Sequence, residues 1–239
     1  MRRVGVPEAD WEDALRVVRR APPLEPEGLW SHFARADEPE DPSVAAQMAA
    51  FERGLKLAQD LGCPPALAHL CNSAGTVAVP AAHYDLVRPG IAIYGLEPGP
   101  RHTTPLRPAL SWYARLSLVK RLAAGEAVSY GLTWSAEDDV TLGTVPAGYA
   151  DGVTRALGNL GAVVVGGQRR PIAGRVCMDQ FLIDGGQLDL RAGDEVCLIG
   201  RQGEAAVTAD DWARWLGTIN YEVVATIGRR VPRRYVGGR

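Results

Sequence analysis

Lysine is nearly missing from this chain. Of its 26 Lys and Arg side chains, only Lys56 and Lys120 are lysine and the other 24 are arginine, so chemistry that needs a side-chain primary amine has two positions open to it. Cysteine is scarce too. Cys63, Cys71, Cys177 and Cys197 show no C-x-x-C spacing, which points to neither a zinc site nor a redox pair and leaves no metal expected. They read as small buried residues in a reducing compartment. The sequence has no run of about 18 apolar residues and no basic-then-apolar leader, so no membrane span or secretion signal is expected and the expected location is cytoplasmic. A net charge of −2 and a pI near 6.1 leave no basic footprint for nucleic acid or anionic membrane. The local exception is the arginine run Arg229, Arg230, Arg233, Arg234 and Arg239, which reads as a solvated or interface-bound tail.

What is present suits a globular chain. The 239 residues are 46% hydrophobic, enough to bury a core in one large or two modest domains. Residues 7–21 carry Trp11, Leu15 and Val18 at helical spacing, with acidic residues early and arginines late. The apolar run Gly28–Phe33 reads as a buried strand. Asp41 and Pro42 open an amphipathic helix through Leu61, with Asp41 as its N-cap and Pro42 in its first turn. Ala66–Leu70 reads as a second strand, Ala74–Val79 as a short helix, and Leu86–Tyr94 as a third strand interrupted by Pro89. Strands alternating with helices predict parallel βαβ units, whose polar strand ends carry the site.

From Leu106 the character changes to short strands at Ala109–Val119, Val140–Pro146, Ala162–Val165, Val176–Ile183 and Glu195–Ile199, punctuated by glycine pairs. One helix interrupts them, capped by Thr208, with Trp215 and Leu216 on its apolar face. The expected fold class is therefore α/β plus β. The Pro/Gly/Thr stretch Glu97–Pro105 is the expected linker, dividing the chain into 1–103 and 104–239.

Several residues stand out chemically. Arg88 lies inside the apolar stretch VRPGIAIYG (87–95), an expensive place for a permanent charge unless it is paired or hydrogen-bonded. Ser73 starts a helix in NSAG (72–75). Alone this is a weak signal, since Asn-Ser is a common helix cap. Tyr130 in VSYGLTW (128–134) could move a proton near neutral pH only with cationic or hydrogen-bonding help, because a free tyrosine titrates near 10. Taken singly, His32 reads as a satisfied loop histidine, Met178 as core filler and Asn72 as a helix cap.

These three stretches and four others, MRRVG (1–5), SHFARADE (31–38), CMDQ (177–180) and INYE (219–222), together resemble the alanine racemases, fold-type III pyridoxal-phosphate enzymes. The resemblance implies the C-terminal portion of a (β/α)8 barrel, here 1–103, followed by a mainly β C-terminal domain, here 104–239. It implies pyridoxal 5'-phosphate as cofactor, alanine as substrate, and a homodimer whose active sites are shared between subunits. By the same resemblance Tyr130 is the acid and base on one face of the substrate, and His32 links it to Arg88, which faces the pyridine nitrogen. Ser73, Gly90, Ile91 and Tyr221 match the phosphate-binding set, and Arg3 and Met178 serve the substrate carboxylate. Tyr149 resembles an entrance tyrosine, Asp179 accompanies Met178, and Asp151 and Arg155 read as structural or interface residues.

One departure matters. Neither Lys56 nor Lys120 sits in the family's cofactor-lysine context, so the chain is expected to be the back two-thirds of such an enzyme and inactive alone. About 100 residues of βα character are too few for a complete barrel, which needs about 250. Open strand edges and an uncovered apolar interior are therefore expected. Two alternatives stay open: a racemase of another small amino acid such as serine, or a non-catalytic, degenerate dimerisation module. Related barrel-plus-β decarboxylases fit less well, lacking here their glycine-triplet loop and catalytic cysteine motif.

Overall fold

The structure, a computed structural model, describes residues 1–24, 26–99 and 104–237. Two compact units are present, Met1–Ala109 and Leu110–Arg239. Much of the expected linker, residues 100–103, lies outside the described residues, as does Arg239 of the arginine run.

In the first unit a single 3-10 turn, Glu8–Asp10, leads into α1, Trp11–Arg19. Trp11, Ala14, Leu15 and Val18 are its half-buried stripe, the spacing a helix needs to face a neighbour. Strand β1 is Gly28–Trp30 and α2 is Pro42–Asp60. Asp41 accepts a hydrogen bond from Ser43 N at 2.9 Å, and Pro42 occupies the first turn, where its missing N–H costs nothing. Strand β2, Leu67–His69, pairs parallel with β1, and α3 is Ser73–Ala78.

The core of this unit gathers Phe33, Val44, Phe51, Ala68, Leu70 and Cys71, with Met48 and Leu55 packed against it. Each fully buried large side chain contributes about 1.5–3 kcal/mol. Arg19 Nη1 donates to Leu61 O at 2.8 Å, which pins α1 to the end of α2, and Arg53 of α2 pairs with Glu8 of the 3-10 turn at 2.8 Å.

Two expectations need correcting here. The run Gly28–Phe33 is a strand only over three residues, and those are exposed or half-buried, because β2 is its one partner and a face of the pair stays open. Trp30 is 53% exposed, and a cavity of about 480 Å³ opens between β1, α1 and α2, lined by Trp11, Leu15, Leu29 and Phe51. The run Leu86–Tyr94 is not a strand. Its chain follows the end of β2 through Asp85 N to Ala68 O (3.1 Å) and Arg88 N to Cys71 O (3.0 Å), but Pro89 donates nothing and Ile91–Tyr94 coils into a 3-10 turn. That turn ends at Gly95, whose positive φ and contact with Arg107 O leave no space for a side chain.

The second unit is antiparallel. Its strands are β3 Trp112–Arg115, β4 Leu118–Leu122, β5 Ala127–Val128, β6 Trp134–Ser135, β7 Val140–Val145, β8 Ala162–Val165, β9 Gln168–Ala173, β10 Phe181–Asp184, β11 Glu195–Gln202 and β12 Ala205–Val207. Eight form one sheet in the order β12-β11-β8-β9-β10-β7-β4, with β3 also on β11; β5 and β6 form a separate hairpin. The expected single strand at 109–119 is two, since Leu116 and Ser117 break it so that β3 pairs with β11 and β4 with β7.

Helix α4, Ala209–Leu216, opens with a complete capping box between Thr208 and Asp211. It buries Trp212 against Trp112, ring centroids 5.9 Å apart. Trp215 and Leu216, expected on the apolar face, are only half-buried, because the inward positions are Ala209, Trp212 and Ala213. Helix α5, Asn220–Ala225, carries Tyr221. Of the arginine run, Arg233 donates to Ile227 O, Gly228 O and Val231 O, and Arg230 pairs with Asp151 at 3.3 Å. Among the described residues no helix is long and apolar enough to cross a membrane, and no His, Cys, Asp and Glu group could hold a metal ion.

Candidate active site

Arg88 is the hub of the first unit. Its Nη2 donates to Ser31 O at 2.8 Å and lies 3.4 Å from both Leu70 O and His32 Nδ1, while Nη1 bonds His69 Nδ1. The guanidinium carbon stands 5.4 Å from the centroid of Trp30, which stacks on His69 at 6.1 Å. The charge is thus accommodated by imidazoles, carbonyls and a π-face, with no carboxylate among these contacts. Burial lowers its affinity for a proton, yet arginine remains charged at any working pH.

Arginine can only donate, so His69 Nδ1 accepts from Nη1 and that ring carries its proton on Nε2; His32 faces a donor on each side, Arg88 Nη2 at Nδ1 and the Asn72 amide at Nε2, and while neutral accepts from one of them. Burial first, and the Arg88 charge second, push both histidines below the usual imidazole range; Arg3 adds to the effect on His32. His32 Nε2 lies 3.4 Å from Asn72 Nδ2. Asn72 Oδ1 already accepts from Gly75 N at 3.0 Å as the cap of α3, so the group it turns to His32 is the donor Nδ2.

Ser73, 3% exposed, begins α3. Its Oγ accepts from Gly90 N at 2.7 Å and Ala92 N at 3.4 Å, which leaves the hydroxyl proton to be donated. Gly90 is exposed, and a Cβ there would meet only Ser73 Oγ, at 3.9 Å. Ile91 is buried beside it. The first unit therefore brings together His32, Arg88, Asn72, Ser73, Gly90 and Ile91. Arg3 is exposed on the same unit.

Sequence reasoning missed His69 and Trp30. The only signal was register: each ends a three-residue strand, and the parallel pairing sets Trp30 opposite His69.

In the second unit Tyr130 is 71% exposed in the turn between β5 and β6, and Met178 is 57% exposed after β9. Tyr149 N donates to Cys177 O and Ala150 N to Met178 O, so the GYADG and CMDQ segments are bonded together. Gly148 makes that approach possible, since a Cβ there would lie 2.4 Å from Cys177 O. Asp151 is buried, accepts from Gly148 N at 2.9 Å and shapes the same turn, whereas Asp179 and Arg155 are exposed. Tyr221 is 37% exposed on α5.

The donor set fits pyridoxal phosphate at two ends. A fixed guanidinium suits a ring nitrogen, and a hydroxyl proton beside open backbone suits a phosphate. An amine to complete the set is not found at either lysine: Lys56 is exposed on α2 and paired with Asp60 at 2.9 Å, and Lys120 lies in β4 opposite Leu142.

Comparison with known proteins shows the family. Residues 1–98 match the family description "Alanine racemase, N-terminal domain" and residues 109–235 match "Alanine racemase, C-terminal domain". An alanine racemase of Frankia casuarinae is 48% identical over 98% of this chain and 63% of its own length. The solved alanine racemase of Streptomyces coelicolor superposes with a TM-score of 0.93 at 46% identity, covering 98% of this chain and 63% of that one. That of Bacillus anthracis, with bound L-Ala-P, gives 0.89 at 38% identity, covering 97% and 61%. The chain spans somewhat over three-fifths of the length of each.

Proposed function

Since this chain belongs to the alanine racemase family, with a barrel-type βα domain and a β domain, we propose that the whole protein interconverts L- and D-alanine using pyridoxal 5'-phosphate. The carrying observation is the Arg88 hub: a guanidinium held by His32, His69 and Ser31 O, on the unit that also holds Ser73 and Gly90. D-Alanine made in the cytoplasm would serve peptidoglycan synthesis.

Pyridoxal phosphate, when bound, withdraws electrons from the α-carbon of an amino acid and so acidifies its proton. Arg88 would hold the pyridine nitrogen with an N–H and, being permanently charged, keep that nitrogen unprotonated, which favours simple proton exchange over side reactions. The Ser73 hydroxyl, the Gly90 and Ile91 backbone and the Tyr221 phenol would hold the phosphate. Tyr130 would take and return the α-proton on one face. His32 would orient the Tyr130 oxygen. Arg3 and the Met178 backbone N–H would hold the substrate carboxylate.

The reading includes a homodimer in which Tyr130 and Met178 of one copy complete the site of the other. The second face of the substrate needs a base that neither lysine of this chain supplies, so the 239 residues alone are expected to turn over no alanine. The test is Tyr130→Phe in the full-length enzyme, where racemisation should drop by about 10²–10⁴ with cofactor absorbance unchanged. Retained activity would remove Tyr130 from the reaction. Mixing that variant with one lacking the cofactor lysine should recover activity through one intact site per mixed dimer. No recovery in proven heterodimers would sink the shared site.

A further inference from the structure

The side chain of Tyr130 is 71% exposed, so packing within this chain does little to hold it and the turn that bears it sets where the ring leaves the backbone. That backbone is unusual. Ser129 (φ 67°), Gly131 (φ 78°) and Leu132 (φ 47°) all take left-handed conformations, two of them without glycine's freedom, within a five-residue connection between β5 and β6. One internal bond, Leu132 N to Ser129 O at 3.1 Å, closes the turn. Non-glycine residues stay in that region only where their surroundings hold them.

Two elements outside the turn do the holding. On its N-terminal side the Ser129 hydroxyl donates to Arg175 O at 2.8 Å. The approach depends on Gly174, where a Cβ would fall 2.4 Å from Ser129 Cβ. On its C-terminal side the Asn159 Nδ2 donates to Thr133 O and Thr133 Oγ1, each at 3.2 Å. Asn159 Oδ1 meanwhile accepts from Gly174 N at 2.6 Å. Asn159 itself sits at φ 59°, a conformation that asparagine tolerates better than most residues.

The Ser129 hydroxyl thus ties the N-terminal end of the Tyr130 turn to the Gly174–Arg175 segment, and the Asn159 amide ties its C-terminal end to the same segment. That segment runs on to Cys177 and Met178, whose carbonyls accept from Tyr149 N and Ala150 N. We propose that Asn159 is a positioning residue for Tyr130, the strut that holds the 129–133 turn in its left-handed form. This rests on the reading of Tyr130 as a proton-transfer residue only for its catalytic consequence; the strut itself is a property of this chain.

The experiment has two arms. In the 239-residue chain, hydrogen exchange of a peptide spanning 128–134 is compared between wild type, Asn159→Gly, which keeps the backbone freedom, and Asn159→Asp, which keeps the acceptor for Gly174 N but loses the donor to Thr133. Asn159→Gly should speed exchange there about tenfold while β8 and β9 peptides stay unchanged, and Asn159→Asp should fall between. Unchanged exchange at 128–134 in Asn159→Gly overturns the proposal. In the full-length enzyme Asn159→Gly should lower kcat about tenfold with KM and cofactor absorbance little altered, because the misplaced group acts after binding. A loosened turn with unchanged kcat overturns the catalytic role of the strut. If Tyr130→Phe is itself fully active, the failure belongs to the function proposed for Tyr130, and the exchange arm still decides the strut.

Discussion

Two glycine-to-alanine substitutions in the first unit should change stability in opposite directions, although both glycines lie in helices. Alanine is the better helix former by about 0.5–1 kcal/mol, largely through the conformational entropy that glycine loses on folding. At Gly54 in α2 the added Cβ would meet Trp11 Cζ3 at 3.7 Å and Leu29 Cδ2 at 4.0 Å, ordinary van der Waals contacts, so the full gain should appear. At Gly75 in α3 the Cβ would meet Phe33 Cδ2 at 2.8 Å, Phe33 Cε2 at 3.1 Å and Cys71 Sγ at 3.2 Å. Phe33 is 1% exposed and Cys71 is fully buried, so neither can swing away. Forcing a methyl group into such a core costs about 1–3 kcal/mol. Subtracting the propensity gain leaves Gly75→Ala destabilised by up to roughly 2.5 kcal/mol, about 1 kcal/mol at mid-range.

Because the chain has two units, a single unfolding curve mixes both. Hydrogen exchange of the slow amides of α2 reads the first unit alone. Gly54→Ala should raise protection about two- to fivefold, and Gly75→Ala should lower it about fivefold, at most about sixtyfold. Should Gly75→Ala protect as well as Gly54→Ala does, the close packing of α3 on Phe33 would be wrong, and with it the account of how α3 carries Asn72 and Ser73.

Three further outcomes are expected. Asp211 is pushed up by burial but held below the usual carboxylate range overall by the Thr208 N–H, Arg214 and Arg169. Its stabilisation is therefore complete above an unfolded value near 3.9 and lost as pH falls through the lower folded value, so Asp211→Asn should cost about 1–2 kcal/mol at neutral pH and flatten the acid limb below about pH 4. An unaltered acid limb by pH-dependent thermal unfolding would contradict this. His32 and His69 should titrate below the usual range by NMR, and Arg88→Met should raise both only part of the way, since burial is the larger cause. Their depressed values mean that stability they contribute is present above about pH 6.5 and lost as pH falls through the folded values; full return to the ordinary range in the variant would make the charge, not burial, dominant. Burial pushes the Cys71 and Cys197 thiols up to about 11, so a thiol reagent at pH 8 should label Cys63 and Cys177 first, and rapid labelling of Cys71 would show that the first core opens readily.

Some features were settled by residues a few positions apart. Helix α2 was readable because Asp41 and Pro42 state its start and Val44, Phe51 and Ala58 repeat at helical spacing, all within one turn-to-turn frame. Strand β8, Ala162–Val165, matched its expected bounds because four apolar residues between glycines have little alternative to a buried strand. The separated motifs were enough to point to the family, and Arg88 announced itself as a charge inside an apolar run. Chain-distant pairing decided the rest. The run Leu86–Tyr94 carries the same apolar signal as a strand, and only the lack of an N–H at Pro89, with the packing of Ile91, turns it into a 3-10 turn. What shields the Arg88 charge is His69, nineteen residues away, set in place by the parallel register of β1 and β2. The turn bearing Tyr130 likewise depends on Asn159 and Gly174, in contact through the folded backbone. Local periodicity and capping fix elements because their partners are near in sequence; a charge's partners and a strained turn's supports are fixed by register and packing, which no local pattern encodes.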